Sequence, residues 1–134
     1  MSKFVLSLFL LIAMALPGAA QDRDVQSVIS DQIKALQADD FDQAFSYASP
    51  NIQMIFRNAD NFGVMVRRGY PMVWRPSEVK FLEQDMVKGA LWQKVLIRDA
   101  GGTAHILAYQ MERNAEGIWK ISGVQLLKDA GVAA

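Results

Sequence analysis

An α+β domain, with helices packed on the concave face of a curved four-stranded antiparallel sheet, is the fold class this sequence predicts, and three observations predict it. Between Asp24 and Val66 apolar residues recur three and four apart, the spacing of amphipathic helices. From Glu78 to Leu127 four runs have strand character, and glycine falls in each connection between them, as in antiparallel hairpins. The two halves meet at Arg67 to Pro76, RRGYPMVWRP. There Gly69 can close a helix at positive φ, and Pro71 and Pro76 bar a helix on either side of Trp74. Tyr70, Met72, Val73 and Trp74 are too apolar for a free linker, so the joint should be packed down.

The chain opens with Lys3, then the thirteen uncharged residues Phe4 to Leu16, then Pro17-Gly18-Ala19-Ala20. This is the pattern of a secretory signal peptide, cut after Ala20, and the apolar run is shorter than the roughly 20 residues a membrane span needs. The expected organisation is therefore a leader over 1–20 and one α+β domain over 21–134, periplasmic or secreted, with no stable membrane insertion after processing. The 114 residues that remain are enough for a single core. With no cysteine, that core has no disulfide, thiolate metal site or lipidated N-terminus to lean on. The mature chain carries 13 basic and 14 acidic residues, a balance that speaks against nucleic acid or an anionic membrane as the main partner.

The first helix, from Asp24, should bury Val25, Val28, Ile29, Gln32, Ile33 and Leu36. Asp40 is placed to cap a second helix, with Gln43 three residues on, and Phe41, Ala44, Phe45 and Ala48 form its buried side. Ser49-Pro50 repeats the logic for a third helix, where proline at the first position loses nothing, with Ile52, Ile55 and Phe56 inward. Asn58 or Asp60 caps a fourth, in which Phe62, Met65 and Val66 face the core and Gly63 allows close backbone approach. Four short amphipathic helices need a common wall.

That wall is expected in Glu78 to Asp85, Leu91 to Arg98, Thr103 to Glu112 and Ile118 to Leu127. A two- or four-residue loop across Asp99 to Gly102 would pair Arg98 with Thr103, and a four-residue loop from Asn114 to Gly117 would pair Arg113 with Ile118. This register puts Val95, Ile97, Ala104, Ile106, Ala108, Trp119 and Ile121 on the helix-facing side. Gly123 is the expected site of a bulge that curves the last strand. The other face would carry Trp92, Leu96, Leu107, Tyr109 and Met111, with His105 across from Leu96. That patch is larger than a monomer usually exposes, and a homodimer, sheet against sheet, is the expected cover. The loop at Lys88-Gly89 leaves the first strand's faces open.

The order of long helix, short helices and bent antiparallel sheet resembles the nuclear transport factor 2-like, or cystatin-like, fold. The resemblance is carried by ALQADDFDQAF at Ala35 to Phe45 and GIWKISGVQLL at Gly117 to Leu127. SYASPNIQMIF at Ser46 to Phe56, with RRGYPMVWRPSEVKFL at Arg67 to Leu82, resembles a family of small exported bacterial proteins known as a domain of unknown function. Enzymes of this fold keep their pocket between the sheet's concave face and the helices, with an acid as base, so the resemblance directs attention to an inward carboxylate. Glu112 is the one acid the expected register offers as a catalytic base.

No metal site is expected. His105 is the only histidine, and the acids near the helices are explained as caps and first-turn charges. No cofactor motif is present. The remaining constellation is Arg67, Arg68 and Arg75 around Tyr70 and Trp74. These could bind a carboxylate or phosphate group, with Trp74 stacking on a flat ligand or on Arg75 itself. Alternatively, Arg67 and Arg68 complement a helix C-terminus while Arg75 pairs with Glu78. The leading expectation is a non-catalytic module that holds a small molecule or a partner's segment near Tyr70 and Trp74. An isomerase- or hydratase-like enzyme, or a structural subunit docking through the outer sheet face, is the alternative.

Overall fold

A computed structural model describes residues 17–129, and the expected leader up to residue 16 lies outside the described residues. Five helices precede four strands: α1 Pro17–Gln37, α2 Phe41–Ser46, α3 Pro50–Phe56, α4 Ala59–Gly69, α5 Pro71–Trp74, β1 Glu78–Val87, β2 Ala90–Arg98, β3 Ala104–Arg113 and β4 Trp119–Asp129. The sheet is antiparallel in the order β1-β2-β3-β4 and open at both ends. It is α+β with the helices on one face, the class expected. No helix among the described residues is long and apolar enough to cross a membrane.

The helical layer follows the periodicity closely. Val25, Ile29, Gln32, Ile33 and Leu36 of α1 are buried. The helix begins at Pro17 rather than Asp24, with proline at its first position, so residues 17–23 are helical too. Its far end is a Schellman turn: Asp40 N–H bonds Ala35 O, Asp39 N–H bonds Leu36 O, and Asp39 takes a φ of 57°. Asp40 then caps α2 by accepting from Gln43 N–H at 3.1 Å. The reciprocal half of the box is absent because the Asp40 N–H is already spent on α1, and Gln43 donates to Tyr47 Oη instead. Ser49 caps α3 and Asn58 caps α4. Gly63 lets α4 sit against α2: a Cβ there would fall 2.7 Å from the Phe41 ring.

Three expectations fail in this layer. Gly69 ends α4 without a positive φ, and Tyr70, at a φ of -136°, is the capping residue. Pro71 does not bar a helix but opens the single turn α5, since proline suits the first helical position. Ile55 is not buried; it is 62 % exposed. The Gln53 side chain donates to Phe45 O and Ala48 O, which turns α3 so that Ile52, Gln53 and Phe56 face the protein and Ile55 faces away.

The sheet register differs from expectation by one residue in both central hairpins. Arg98 pairs with Ala104, and Arg113 pairs with Trp119. Each loop holds three residues closed by a backbone bond, Asp99 N–H to Thr103 O and Asn114 N–H to Ile118 O. In each, the first side chain accepts two loop N–H groups and the last loop residue is a glycine at positive φ, Gly102 or Gly117.

A one-residue slip moves every side chain of a strand to the opposite face. Both slips act on β3, so β2 and β4 keep their expected faces and β3 turns over. Leu107, Tyr109 and Met111 are buried on the helix side, opposite Val95, Gln93 and Leu91. Ala104, Ile106 and Ala108 move to the outer face. The expected apolar outer patch therefore keeps only Trp92 and Leu96 of its five members, joined there by Ile106.

Bulges curve the ladder. In β4, Gln110 pairs with Gly123 and Met111 with Ile121, leaving Ser122 as the extra residue beside the expected site at Gly123. In β1 the shift lies between Phe81 and Gln84. Gln93, fully buried, services it by donating to Leu82 O at 2.9 Å and accepting from Gln84. The β1–β2 turn is a two-residue one, with Lys88 and Gly89 both at positive φ, and it sets Val79 and Phe81 against the core.

Candidate functional site

A cavity of about 390 Å³ lies between the helices and the last two strands. Gln32 and Leu36 of α1, Ala48, Ile52 and Phe56 of α3, and Phe62, Met65 and Val66 of α4 form the helical side. Tyr70, Val73, Tyr109, Ile121, Gly123 and Val124 complete it. None of these residues is an acid, a base or a histidine. Each is set in place by a device already described. The Ser49 cap and a short bridge between Ala48 and Ile121 anchor α3 to β4, with Ser49 N–H on Ile121 O and Ile121 N–H on Tyr47 O. Phe62 holds the wall by packing on Phe45 and Phe56, with ring centroids 5.3 and 6.0 Å away.

Three polar side chains reach this lining. Gln32 is buried and donates to Ala44 O at 3.2 Å. Tyr70 donates to Val124 O at 3.3 Å. Tyr109 is 1 % exposed, and its hydroxyl is buried with no hydrogen-bond partner. Burial raises the Tyr109 phenol well above its ordinary value, and the neighbouring Tyr70 adds to the effect, so it stays protonated across the physiological range.

Of the expected Arg-aromatic constellation, only Tyr70 lines the cavity. Trp74 and Arg75 turn to the end of α1. Trp74 Nε1 donates to Asp39 at 2.9 Å, and Arg75 reaches both Asp39 oxygens at 2.9 and 3.2 Å. Arg75 also donates to Leu36 O and Gln37 O in the last turn of α1, and its guanidinium lies 4.1 Å over the Trp74 ring. Arg75 is thus stacked on Trp74, one of the two arrangements foreseen for that ring. Glu78, the alternative partner foreseen for Arg75, pairs with Arg98 instead. Arg67 stacks over Phe41 at 5.1 Å, and Arg68 is exposed.

Glu112 does not face the helices. The turned-over β3 puts it outward, exposed and opposite Lys120, at the rim of a second cavity of about 550 Å³ shared with Arg113 and Trp119. His105 likewise changes sides. It pairs with Ile97 rather than Leu96, and its Nε2 lies 2.8 Å from Asp99 Oδ2. That contact is the main reason the Asp99 carboxyl sits below its ordinary value, ahead of the loop N–H groups of Thr103 and Gly101. Tyr109 is the site residue that sequence reasoning misplaced, and the signal that could have placed it is the Asp/Asn-x-x-Gly pattern of the two hairpin loops.

Fold and site together define an α+β domain whose helices and curved sheet enclose an uncharged cavity. Residues 18–134 match the family described as a domain of unknown function (DUF4864), and the chain belongs to that family. No curated protein and no solved structure matches it.

Proposed function

We propose that this protein is a non-catalytic, exported binding module that holds a small, largely apolar molecule in the cavity between α1, α3, α4 and the β3–β4 hairpin. The observation that carries the reading is a cavity of about 390 Å³ with no charged lining residue. Such a volume is within the range of small-molecule pockets. The usual general bases, a histidine or a carboxylate, are missing from the lining, and the buried Tyr109 phenol is held protonated, which makes it a hydrogen-bond donor rather than a base. Export is supported by the leader pattern of residues 1–20. Association through the outer sheet face is supported by Trp92, Leu96 and Ile106.

Native mass spectrometry of the secreted mature chain tests these points together. A retained small mass is the expected result, and its loss in Ile52→Trp, which fills the cavity from the half-buried face of α3, would locate the ligand. Affinity for an added apolar dye such as N-phenylnaphthylamine should fall at least tenfold in that variant with the melting temperature little changed. Dye binding that is indifferent to the substitution would remove the cavity from the account. The same spectra report whether the chain is a monomer or a dimer.

A further inference from the structure

The unpartnered hydroxyl of Tyr109 says more about what the cavity takes. Buried donors are almost always satisfied in folded proteins, and one left unpaired disfavours the state that contains it. The donors of the other polar groups in the lining are already committed, Gln32 Nε2 to Ala44 O and Tyr70 to Val124 O, and neither side chain's oxygen takes the Tyr109 proton. A phenol donates well and accepts poorly, because its oxygen lone pair is shared with the ring. What the Tyr109 hydroxyl lacks is therefore an acceptor.

We infer that the cavity takes an uncharged molecule with a carbonyl oxygen on an apolar body, and that Tyr109 donates the hydrogen bond that orients it. This rests on the binding reading above. An anionic head group fits poorly, since a carboxylate buried without a cation costs far more than one hydrogen bond returns. No arginine lines the cavity, and the guanidinium groups of Arg75 and Arg67 are turned elsewhere, to Asp39 and to Phe41. Tyr70, the polar neighbour of Tyr109, is half-buried and held by one hydrogen bond of 3.3 Å, so its phenol can swing aside to admit the ligand oxygen. At roughly 30 Å³ for each water-sized group, the cavity holds about a dozen heavy atoms, the size of a bicyclic or medium-chain ketone.

Calorimetric titration with three probes of nearly equal size tests this: 2-acetylnaphthalene, 2-ethylnaphthalene and 2-naphthoate. The expected result is that the ketone binds about tenfold more tightly than the hydrocarbon, the worth of one good hydrogen bond, and that the carboxylate binds least. In Tyr109→Phe the ketone's advantage should vanish while hydrocarbon affinity is unchanged. The ligand-free melting temperature of that variant should equal or exceed wild type, because the unpaired group has been removed. Tyr70→Phe should keep the ketone's advantage. Equal affinity for ketone and hydrocarbon in the wild type would overturn the carbonyl assignment and leave the cavity reading standing. Tightest binding of the naphthoate, or an advantage abolished by Tyr70→Phe but not by Tyr109→Phe, would also overturn it. Failure of all three probes to bind would overturn the binding reading itself.

Discussion

Asp39 is where the two halves of the chain are fastened. It stands just past the end of α1 at a φ of 57°, a conformation that Asp tolerates better than most residues. Its carboxylate then gathers Trp74 and Arg75 from 35 and 36 residues away. The indole N–H is the larger cause, and the guanidinium the next, that hold Asp39 below its ordinary value of 3.8. As pH falls, the unfolded chain takes up this proton before the folded one. The lock's contribution is therefore complete above the ordinary value and is lost as pH drops through the depressed one. The carboxylate is 55 % exposed, so screening keeps the effect modest. Asp39→Asn should melt below wild type at neutral pH, with the gap closing in acid. A gap that ignores pH would trace the loss to geometry rather than charge. Nothing in the spacing of Asp39, Trp74 and Arg75 announces this contact, because it depends on where α5 lands.

At the scale of elements, the sequence was legible wherever a local rule decided the outcome. The caps at Asp40, Ser49 and Asn58, the buried stripe of α1 and the four strands all follow from neighbours within a turn or a pleat. The faces of β3 did not, because they depend on counting a loop. Asp99 to Thr103 and Asn114 to Ile118 share an Asx residue first and a glycine fourth, the mark of a three-residue loop, and reading them as two or four residues inverted the strand between them. Tyr109, and with it the polar content of the cavity, was lost to the same miscount. Gln93 was invisible for a different reason: its partner is a carbonyl freed by a bulge in another strand. Gln93→Leu should cost about 1–3 kcal/mol in chemical denaturation, the penalty of leaving the Leu82 carbonyl unpaired in the interior. A neutral outcome would mean that water reaches the bulge.

For the molecule as a whole, the division of labour is between a firm back wall and a light cover. Val95, Ile97, Leu107, Tyr109 and Ile121 are nearly or fully buried, whereas α3 contributes no fully buried residue and leaves Met54 76 % exposed. Ile52 and Phe56 of α3 line the cavity, so α3 is its lightly anchored wall and the sheet its firm one. Of the cations that sequence reasoning grouped into a site, Arg75 ties the end of α1 to α5 and Arg67 stacks on α2, while other ion pairs, Arg98 with Glu78 and Lys94 with Glu83, link β1 to β2. The interior is left to apolar packing and a few amide and phenol groups.

The two three-residue loops carry a consequence for the gene. Surface loops ordinarily absorb small insertions and deletions at little cost. Here the two loops should differ. An in-frame loss of three bases at the Ala100 codon leaves Gly101-Gly102, a two-residue turn that keeps Asp99 opposite Thr103 and every strand face unchanged, so the expected product is soluble with its near-ultraviolet circular dichroism intact. The same loss at Ala115 leaves Glu116-Gly117, and Glu116 would have to take the positive φ that such a turn asks of it. That hairpin would be strained, or would slip by one residue and send Leu107, Tyr109 and Met111 into water, so this deletion should cost solubility or the near-ultraviolet signal.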